Sequence, residues 1–482
     1  MSLKNLLKGT DIKCDKDYYI NHIRINSKEI KEDDMFIAIK GSITDGHNFI
    51  KEAIINGAKV IIVNEDYDIS YEEVLILKTK DTRVTLSKIA SNYYNNPSKE
   101  FKLIGITGTK GKTTTSFMVK KILEESGKKV GLVGTVACYI GNKKLMDSER
   151  TTPESIELQS IFRKMADEDC EYVVIEVSSQ SLKLCRVDGC DFDIALFTNL
   201  SEDHISPYEH SSMKDYFECK CKLFDMTSKG IVNIDDKKGE KLVKLKSNCE
   251  FISYSIDSDS DNKATNINIT NELTTFNANI YGKKELIQIS IPGEYTVYNA
   301  LGAMSICEEL GIESKYILSG LKKVRVPGRS ELIDNDRGLT IMIDYAHSEN
   351  SLKNILQAVK CYTKGRVICL FGCGGDRDSR KRPKMAKVSG ELADYTIITS
   401  DNPRTEDPKT ILEEVESGIK GLTDKYIVIV DRAKAIEYAV KMAKLDDIVV
   451  LAGKGHERYQ IIGHEKFPFD EKEIVLNALN KI

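Results

Sequence analysis

No stretch of this sequence stays apolar for the ~18 residues that a membrane-crossing helix needs, and the N-terminus lacks the apolar core of a secretory signal. A chain that is neither exported nor membrane-spanning, and hence cytoplasmic, is expected. Charge of one sign is also missing. The 70 basic residues nearly balance the 74 acidic ones, leaving a net −4, so no global field draws the protein to nucleic acid or an anionic membrane. Any anionic substrate must then be gripped by local basic groups. The 12 cysteines follow no disulfide-framework spacing, as suits a reducing compartment. Cys219 and Cys221 form a C-x-C, and Cys369 and Cys373 lie four apart, but neither has a second pair at metal-site spacing. That argues against a zinc site built on those pairs. Internal repeats and low-complexity tracts are absent too.

What is present is an ordinary globular composition, 41% hydrophobic and 30% charged, over 482 residues. That length exceeds one core and suits about three domains. Residues 1–97 hold short strand-like runs such as Met35 to Ile39 and Lys59 to Val63. They end in the polar stretch Tyr94-Asn-Asn-Pro-Ser98, a linker signal. From 98 to 326, buried strands are predicted at Leu103–Thr107, Tyr172–Val177 and Asp193–Phe197, with a helix over Lys112–Glu125. Near 255–290 the chain grows rich in Asn, Thr and Ser, which suggests a small antiparallel excursion within this block. From 327 to 482 strands and helices alternate again, with strands at 339–343, 367–371, 395–399, 426–430 and 448–451. The expected class is α/β with three domains: a small N-terminal one, a central parallel-sheet domain of P-loop type, and a C-terminal Rossmann-like one.

The first central strand runs into Thr107-Gly-Thr-Lys-Gly-Lys-Thr-Thr114 and then into a helix. Small residues there let backbone N–H groups close around phosphate oxygens at a helix N-terminus. Lys112 would reach the terminal phosphates and Thr113 would offer its hydroxyl to Mg²⁺. The general P-loop wants a glycine where Ile106 stands, so the pattern is T-G-T-x-G-K-T-T. An ordinary glycine-rich strand–helix turn is the alternative.

That pattern resembles the ATP loop of the Mur ligases, a superfamily that includes folylpolyglutamate synthetase. Further matches follow in the family's order: Glu176-Val-Ser-Ser-Gln180, Thr198-Asn-Leu-Ser-Glu-Asp-His204, Tyr216-Phe-Glu-Cys-Lys220 with Leu223-Phe224, Gly293 to Asn299, Val326-Pro-Gly-Arg-Ser-Glu331, and Asp344-Tyr-Ala-His347. Gly372 to Asp378, Asp401-Asn-Pro-Arg404 and Gly453-Lys-Gly-His-Glu457 are similar to marks of the diaminopimelate-adding branch.

The resemblance implies a cytoplasmic, monomeric enzyme of peptidoglycan synthesis. It would activate a carboxylate with ATP and let an amine attack the acyl phosphate. ATP would be held by Gly108, Thr109, Lys110, Gly111, Lys112, Thr113 and Thr114, with Asn299, Arg329 and Asp344 on adenine, phosphate and ribose. Two Mg²⁺ ions would be held by Thr113, Glu176, His204 and Lys220, the last as a carbamate. Lys112, Glu176, His204 and Lys220 thus form the expected catalytic set. Without the resemblance Lys220 is one more surface lysine on a helix, and His204 a structural or solvent-facing histidine. The acceptor would be UDP-MurNAc-L-Ala-D-Glu, held by Ser27, Thr151, Thr152, Ser178 and Arg186; by themselves these are turn hydroxyls and a surface arginine. The incoming meso-diaminopimelate carries a distal carboxylate that Arg404 can grip bidentately, with Arg377, Asp401, Asn402, Gly453 and Glu457 around its head group.

The chain departs from the family pattern at Asn26-Ser-Lys28, Gln180, Glu202 and the run Ile205 to His210. These departures lie on the UDP-sugar and metal side and leave open another acceptor; separately, L-lysine or meso-lanthionine stands as an alternative amino acid. A folylpolyglutamate-type ligase and a catalytically silent nucleotide-binding partner are the remaining alternatives.

Overall fold

The computed structural model describes residues 1–41, 44–203, 205–206, 209–246 and 248–481. They form two compact units: Met1–Lys263 with Tyr298–Gly320, and Ala264–Val297 with Leu321–Ile482.

In the first unit, β1 (Ile23–Arg24), β2 (Asp34–Ile37), β3 (Ala58–Asn64) and β4 (Leu75–Thr79) form a parallel sheet in that order. Its central strands are apolar on both faces, as a doubly covered parallel sheet requires. Met35, Ile37, Val60 and Ile62 enter one core cluster. Phe36, Ile61 and Val63 enter the other.

The same unit carries nine further strands: β5 (Lys102–Thr107), β6 (Val130–Val133), β7 (Ala137–Ile140), β8 (Lys143–Asp147), β9 (Tyr172–Glu176), β10 (Ile194–Phe197), β11 (Lys229–Asn233), β12 (Glu250–Ser255) and β13 (Asn262–Lys263). Their order is β13-β12-β11-β10-β5-β9-β6-β7-β8. Pairing is parallel except for the β6-β7-β8 meander. The chain runs from β5 to β6, returns to β9 on one flank of β5, and then crosses to β10 on the other. That reversal opens a crevice at the C-terminal end of β5, where open α/β sheets bind ligands.

In the second unit, β14 (Thr265–Ile269), β15 (Thr274–Ile280) and β16 (Lys283–Ile289) make an antiparallel sheet. The antiparallel excursion expected near 255–290 is therefore present, and it is grouped with this compact unit. Its antiparallel hydrogen bonds close locally through a Tyr281-Gly282 turn in the left-handed region (φ 51° and 76°), so it needs no strand of the larger sheet. A six-stranded sheet follows, made of β17 (Glu331–Leu332), β18 (Thr340–Asp344), β19 (Val367–Phe371), β20 (Tyr395–Thr399), β21 (Tyr426–Ile429) and β22 (Ile448–Ala452), in the order β17-β18-β22-β19-β20-β21. Only β17 runs antiparallel. A hairpin of β23 (Tyr459–Ile462) and β24 (Glu465–Pro468) precedes the last helix.

One ion pair of this unit is deeply buried. Arg432 and Glu471 meet at 2.7 Å, both fully buried, and Arg432 also donates to Ser400 O and Ala452 O. Removing one partner strands a charge in the core. Glu471→Ala is therefore expected to lower stability by about 3–5 kcal/mol, read as a lower urea midpoint. A shift within error would show that the pair does not carry that load. Among the described residues, no helix is long and apolar enough to cross a membrane.

Candidate functional site

Strand β5 ends at Thr107, and the chain turns through Gly108 and Gly111 into the helix Lys112–Glu125, whose bounds match the expected ones. Both glycines have positive φ, 148° and 89°. A Cβ on Gly108 would sit 1.9 Å from Thr198 Oγ1, and one on Gly111 2.4 Å from Asn299 Oδ1. Glycine is thus needed twice over, for conformation and for space. The loop is strapped to the end of β10. Thr109 N donates to Asn199 O (2.9 Å), Lys110 N to Asn199 Oδ1 (2.9 Å), and Thr198 Oγ1 to Lys110 O (2.6 Å). Lys112 Nζ folds back on the loop and donates to Gly108 O at 2.8 Å and Thr109 O at 3.1 Å. Gly111→Ala is expected to weaken nucleotide binding at least about tenfold, since the clash and the left-handed strain (~1–2 kcal/mol) fall on the loop itself. Fluorescent-ATP titration checks this, and unchanged affinity would contradict the steric reading.

Glu176 ends β9 beside the loop and is fully buried. Thr113 Oγ1 and Thr135 Oγ1 each donate to its Oε2 at 2.9 Å, and Thr135 N donates to Oε1 at 3.0 Å. Gly134 makes room for it: a Cβ there would lie 2.2 Å from Glu176 Oε1. Thr135 was not foreseen. Its sequence signal is no more than the Gly134-Thr135 pair that follows β6.

Lys220 lies on the helix Met213–Cys221. Reading it as a surface lysine fails, for it is 1% exposed. Tyr216, one turn earlier on the same helix, has its ring centroid 4.6 Å from Lys220 Nζ, and the tertiary contact is with the distant phosphate loop. Lys220 Nζ donates to Gly108 O at 2.9 Å, the carbonyl that also accepts from Lys112. Burial, and then the Lys112 charge, hold the Lys220 ammonium well below the ordinary lysine range. His204 lies outside the described residues.

A cleft of about 260 Å³ runs past Lys112 and Lys220 and is lined by Thr151, Thr152, Ser178 and Arg186 as well. Thr152 Oγ1 donates to Glu176 O (2.8 Å) and accepts from Ser178 N (3.0 Å). Arg186 is no surface arginine: it is buried, pairs with Glu154 at 2.7 Å and donates to Thr152 O at 3.2 Å. Its Nε is buried with no hydrogen-bond partner. The structure thus gathers the loop, Glu176, Lys220 and four of the five expected acceptor residues. Ser27 is not among the residues lining this cleft. It is buried by the N-terminal sheet, and its hydroxyl donates to Glu52 Oε2 at 2.5 Å. Asn299 lies beside the loop and accepts from Thr115 Oγ1 at 3.3 Å.

In the second unit, Asp344 ends β18 and accepts from Ser330 N (2.8 Å) and Ala346 N (2.9 Å). Burial raises its carboxyl above the usual range against the opposing pull of Arg329. The Arg329 guanidinium stacks 4.6 Å from the centre of the Tyr345 ring. Asp401-Asn-Pro-Arg404 follows β20. Asn402 Nδ2 donates to Glu457 Oε2 at 2.9 Å, while its Oδ1 accepts from Ile461 N and Lys454 Nζ, both at 3.0 Å. Gly453 has φ 115°, and a Cβ there would lie 2.9 Å from Asp401 Oδ2. Arg404 adopts φ 53° and donates to Gly375 O at 2.7 Å. Arg377, in the segment that follows β19, is exposed.

Two supports were missed. Lys454, fully buried, completes a triangle with Asn402 and Glu457. Arg382, also buried, holds Glu406 and Glu414, and Glu406 accepts from Asp376 N beside Arg377. Lysine and arginine at such places read from sequence as solvated charges, because burial comes only with the fold.

Comparison with known proteins gives this arrangement its relatives. The Mur ligase family catalytic domain matches residues 19–94, the Mur ligase middle domain 106–307, and the Mur ligase glutamate ligase domain 328–455. The UDP-N-acetylmuramoyl-L-alanyl-D-glutamate--2,6-diaminopimelate ligase of Clostridium botulinum is 46% identical over 489 residues, covering 100% of both chains. A solved structure of a ligase of the same name aligns with TM-score 0.73 at 26% identity, over 100% of this chain and 99% of that one. The folylpolyglutamate synthase of Mycobacterium tuberculosis, in complexes with ADP and AMPPCP, is alike in fold alone, with TM-score 0.61 at 16% identity over 77% of this chain and 92% of that one. The chain belongs to the Mur ligase family, ATP-dependent ligases that join an acid to an amino acid.

Proposed function

We propose that this ligase joins meso-2,6-diaminopimelate to UDP-MurNAc-L-Ala-D-Glu in peptidoglycan synthesis, releasing ADP and phosphate. The observation that carries the reading is identity of 46% along the full length of both this chain and a relative named for that reaction. The terminal phosphoryl group of ATP passes to a carboxylate oxygen of the acceptor. The amine then attacks the acyl carbon, phosphate leaves with the bonding electron pair, and the nitrogen loses a proton. Positioning and charge stabilisation are what the protein must supply.

The loop Gly108 to Thr114 offers backbone N–H groups to the phosphates, and Lys112 exchanges its two loop carbonyls for phosphate oxygens. Thr151, Thr152, Ser178 and Arg186 line the cleft beside it and suit the acceptor; Ser27 is assigned to its uridine end. Asn299, Arg329 and Asp344 are assigned to the nucleotide. Arg404 and Arg377 are assigned to the distal carboxylate of diaminopimelate, with Asp401, Asn402, Gly453 and Glu457 around its amino-acid head.

The donors fit magnesium. Among the described residues, Glu176 is a fully buried carboxylate whose hydrogen-bond partners are two hydroxyls and an amide, none of them cationic. An anion so placed calls for a cation, and Thr113 with Glu176 would hold it. Magnesium there would neutralise phosphate oxygens as charge builds on them. A second ion would fall to His204 and a carbamylated Lys220. Burial first, and then the Lys112 charge at the shared Gly108 carbonyl, favour the neutral, nucleophilic amine of Lys220, the form that adds carbon dioxide, and so support the carbamate.

Mass spectrometry of a reaction holding ATP, Mg²⁺, the acceptor and diaminopimelate tests the assignment. A product heavier than the acceptor by diaminopimelate less one water is expected, and unchanged acceptor mass would overturn it.

A further inference from the structure

A second cluster of ligand-type side chains stands apart from the magnesium donors just assigned. Asp215 and Cys219 lie four apart on the helix Met213–Cys221, so both project from one face, and His210 comes from the segment before it. One ligand atom from each falls within 4.8 Å of the others. His210 Nδ1 lies 3.4 Å from Asp215 Oδ2, and Cys219 Sγ lies 3.5 Å from Asp215 Oδ1. Bonds of 2.0–2.3 Å to a tetrahedral ion imply ligand–ligand edges of about 3.3–3.8 Å, and the Cys219 Sγ–Asp215 Oδ1 separation falls in that range. Cys219 thus stands with a carboxylate and an imidazole, a grouping that the C-x-C spacing does not display.

The independent sign is on the histidine. His210 is 1% exposed, and its Nδ1 is buried with no hydrogen-bond partner. Its other nitrogen, Nε2, meets Ser179 Oγ at 2.8 Å. The tautomer that donates Nε2–H to Ser179 leaves a bare Nδ1 lone pair directed at a carboxylate. In that tautomer the Nδ1 lone pair is open to a cation shared with the carboxylate. Lys183 Nζ holds Asp215 Oδ2 at 2.8 Å, which leaves Oδ1, the oxygen facing the thiol, as the carboxylate donor.

We propose that His210, Asp215 and Cys219 form a site for one borderline divalent transition ion, zinc or cobalt, made of other residues than the magnesium sites and including a thiolate that those lack. Nitrogen and sulfur donors select such ions over Mg²⁺. On binding, the Cys219 thiol gives its proton to solvent and its sulfur lone pair to the ion. A water takes the fourth position. The ion would tie His210 to the helix that also carries Tyr216 and Lys220, and so stiffen one wall of the cleft.

The test uses the full chain, stripped with a chelator and titrated with Co²⁺ in excess Mg²⁺, which occupies the magnesium sites. Expected is one equivalent of Co²⁺ with a near-ultraviolet thiolate-to-cobalt band and the visible absorption of a tetrahedral ion. Cys219→Ala should abolish the band, His210→Gln should weaken binding at least about tenfold, and Cys221→Ala should leave both intact. Zn²⁺ should raise the thermal midpoint of the unmodified chain but not of Cys219→Ala. A titration of the unmodified chain without a thiolate band overturns the site whatever the variants do. So does a band that survives Cys219→Ala.

Discussion

Lys112→Ala is expected to lower kcat/KM by about 10²–10³-fold, the loss seen when one preorganised donor to developing charge is removed. Nζ of Lys112 is held 2.8 Å and 3.1 Å from two carbonyls of the loop it serves, so little reorganisation separates its resting place from a phosphate. Fold loss does not confound the test. The residue opens the helix Lys112–Glu125, and alanine is the best helix former. Removing one of two ammonium groups that share the Gly108 carbonyl should also relieve Lys220. Steady-state phosphate release with circular dichroism checks both points, and a loss below threefold with the fold intact would contradict the phosphate role.

Arg404→Ala should cost nearly as much, on a different substrate. Truncating one partner of a hydrogen-bonded charge pair costs about 2–5 kcal/mol, or roughly 30- to several-thousandfold in kcat/KM. The loss should appear with diaminopimelate only, with ATP affinity unchanged within about twofold. Backbone strain does not cloud the comparison, since arginine and alanine carry the same Cβ at φ 53° and bear a similar penalty there. Arg404→Lys should recover only part of the activity, because an ammonium lacks the bidentate fork. Unchanged diaminopimelate kinetics in Arg404→Ala would remove the specificity assignment.

These effects fall on residues whose place was legible to different degrees. The α/β class could be read because buried parallel strands are continuous apolar runs; Val367–Phe371 and Tyr395–Thr399 have the expected bounds. The loop was legible because Gly108 and Gly111 are required by sterics that leave few substitutes. Short, largely exposed strands such as Lys143–Asp147 and Glu465–Pro468 carry no such run, and both escaped notice. Burial of polar groups was the other blind spot. Lys220, Arg186, Lys454 and Arg382 look alike in sequence to solvated cations, yet each is sealed by elements distant in the chain. Glu176 was readable as a strand-end carboxylate, but its grip by Thr113 and Thr135 needed three strands to be assembled first.

The central claim is the choice of amine, and one assay meets it directly: phosphate release by the purified protein with ATP, Mg²⁺ and UDP-MurNAc-L-Ala-D-Glu, compared between meso-diaminopimelate, L-lysine and no amino acid. Release driven by diaminopimelate, at least about 100-fold above the other two, is the predicted result. Equal release in all three, or a preference for L-lysine, would contradict it.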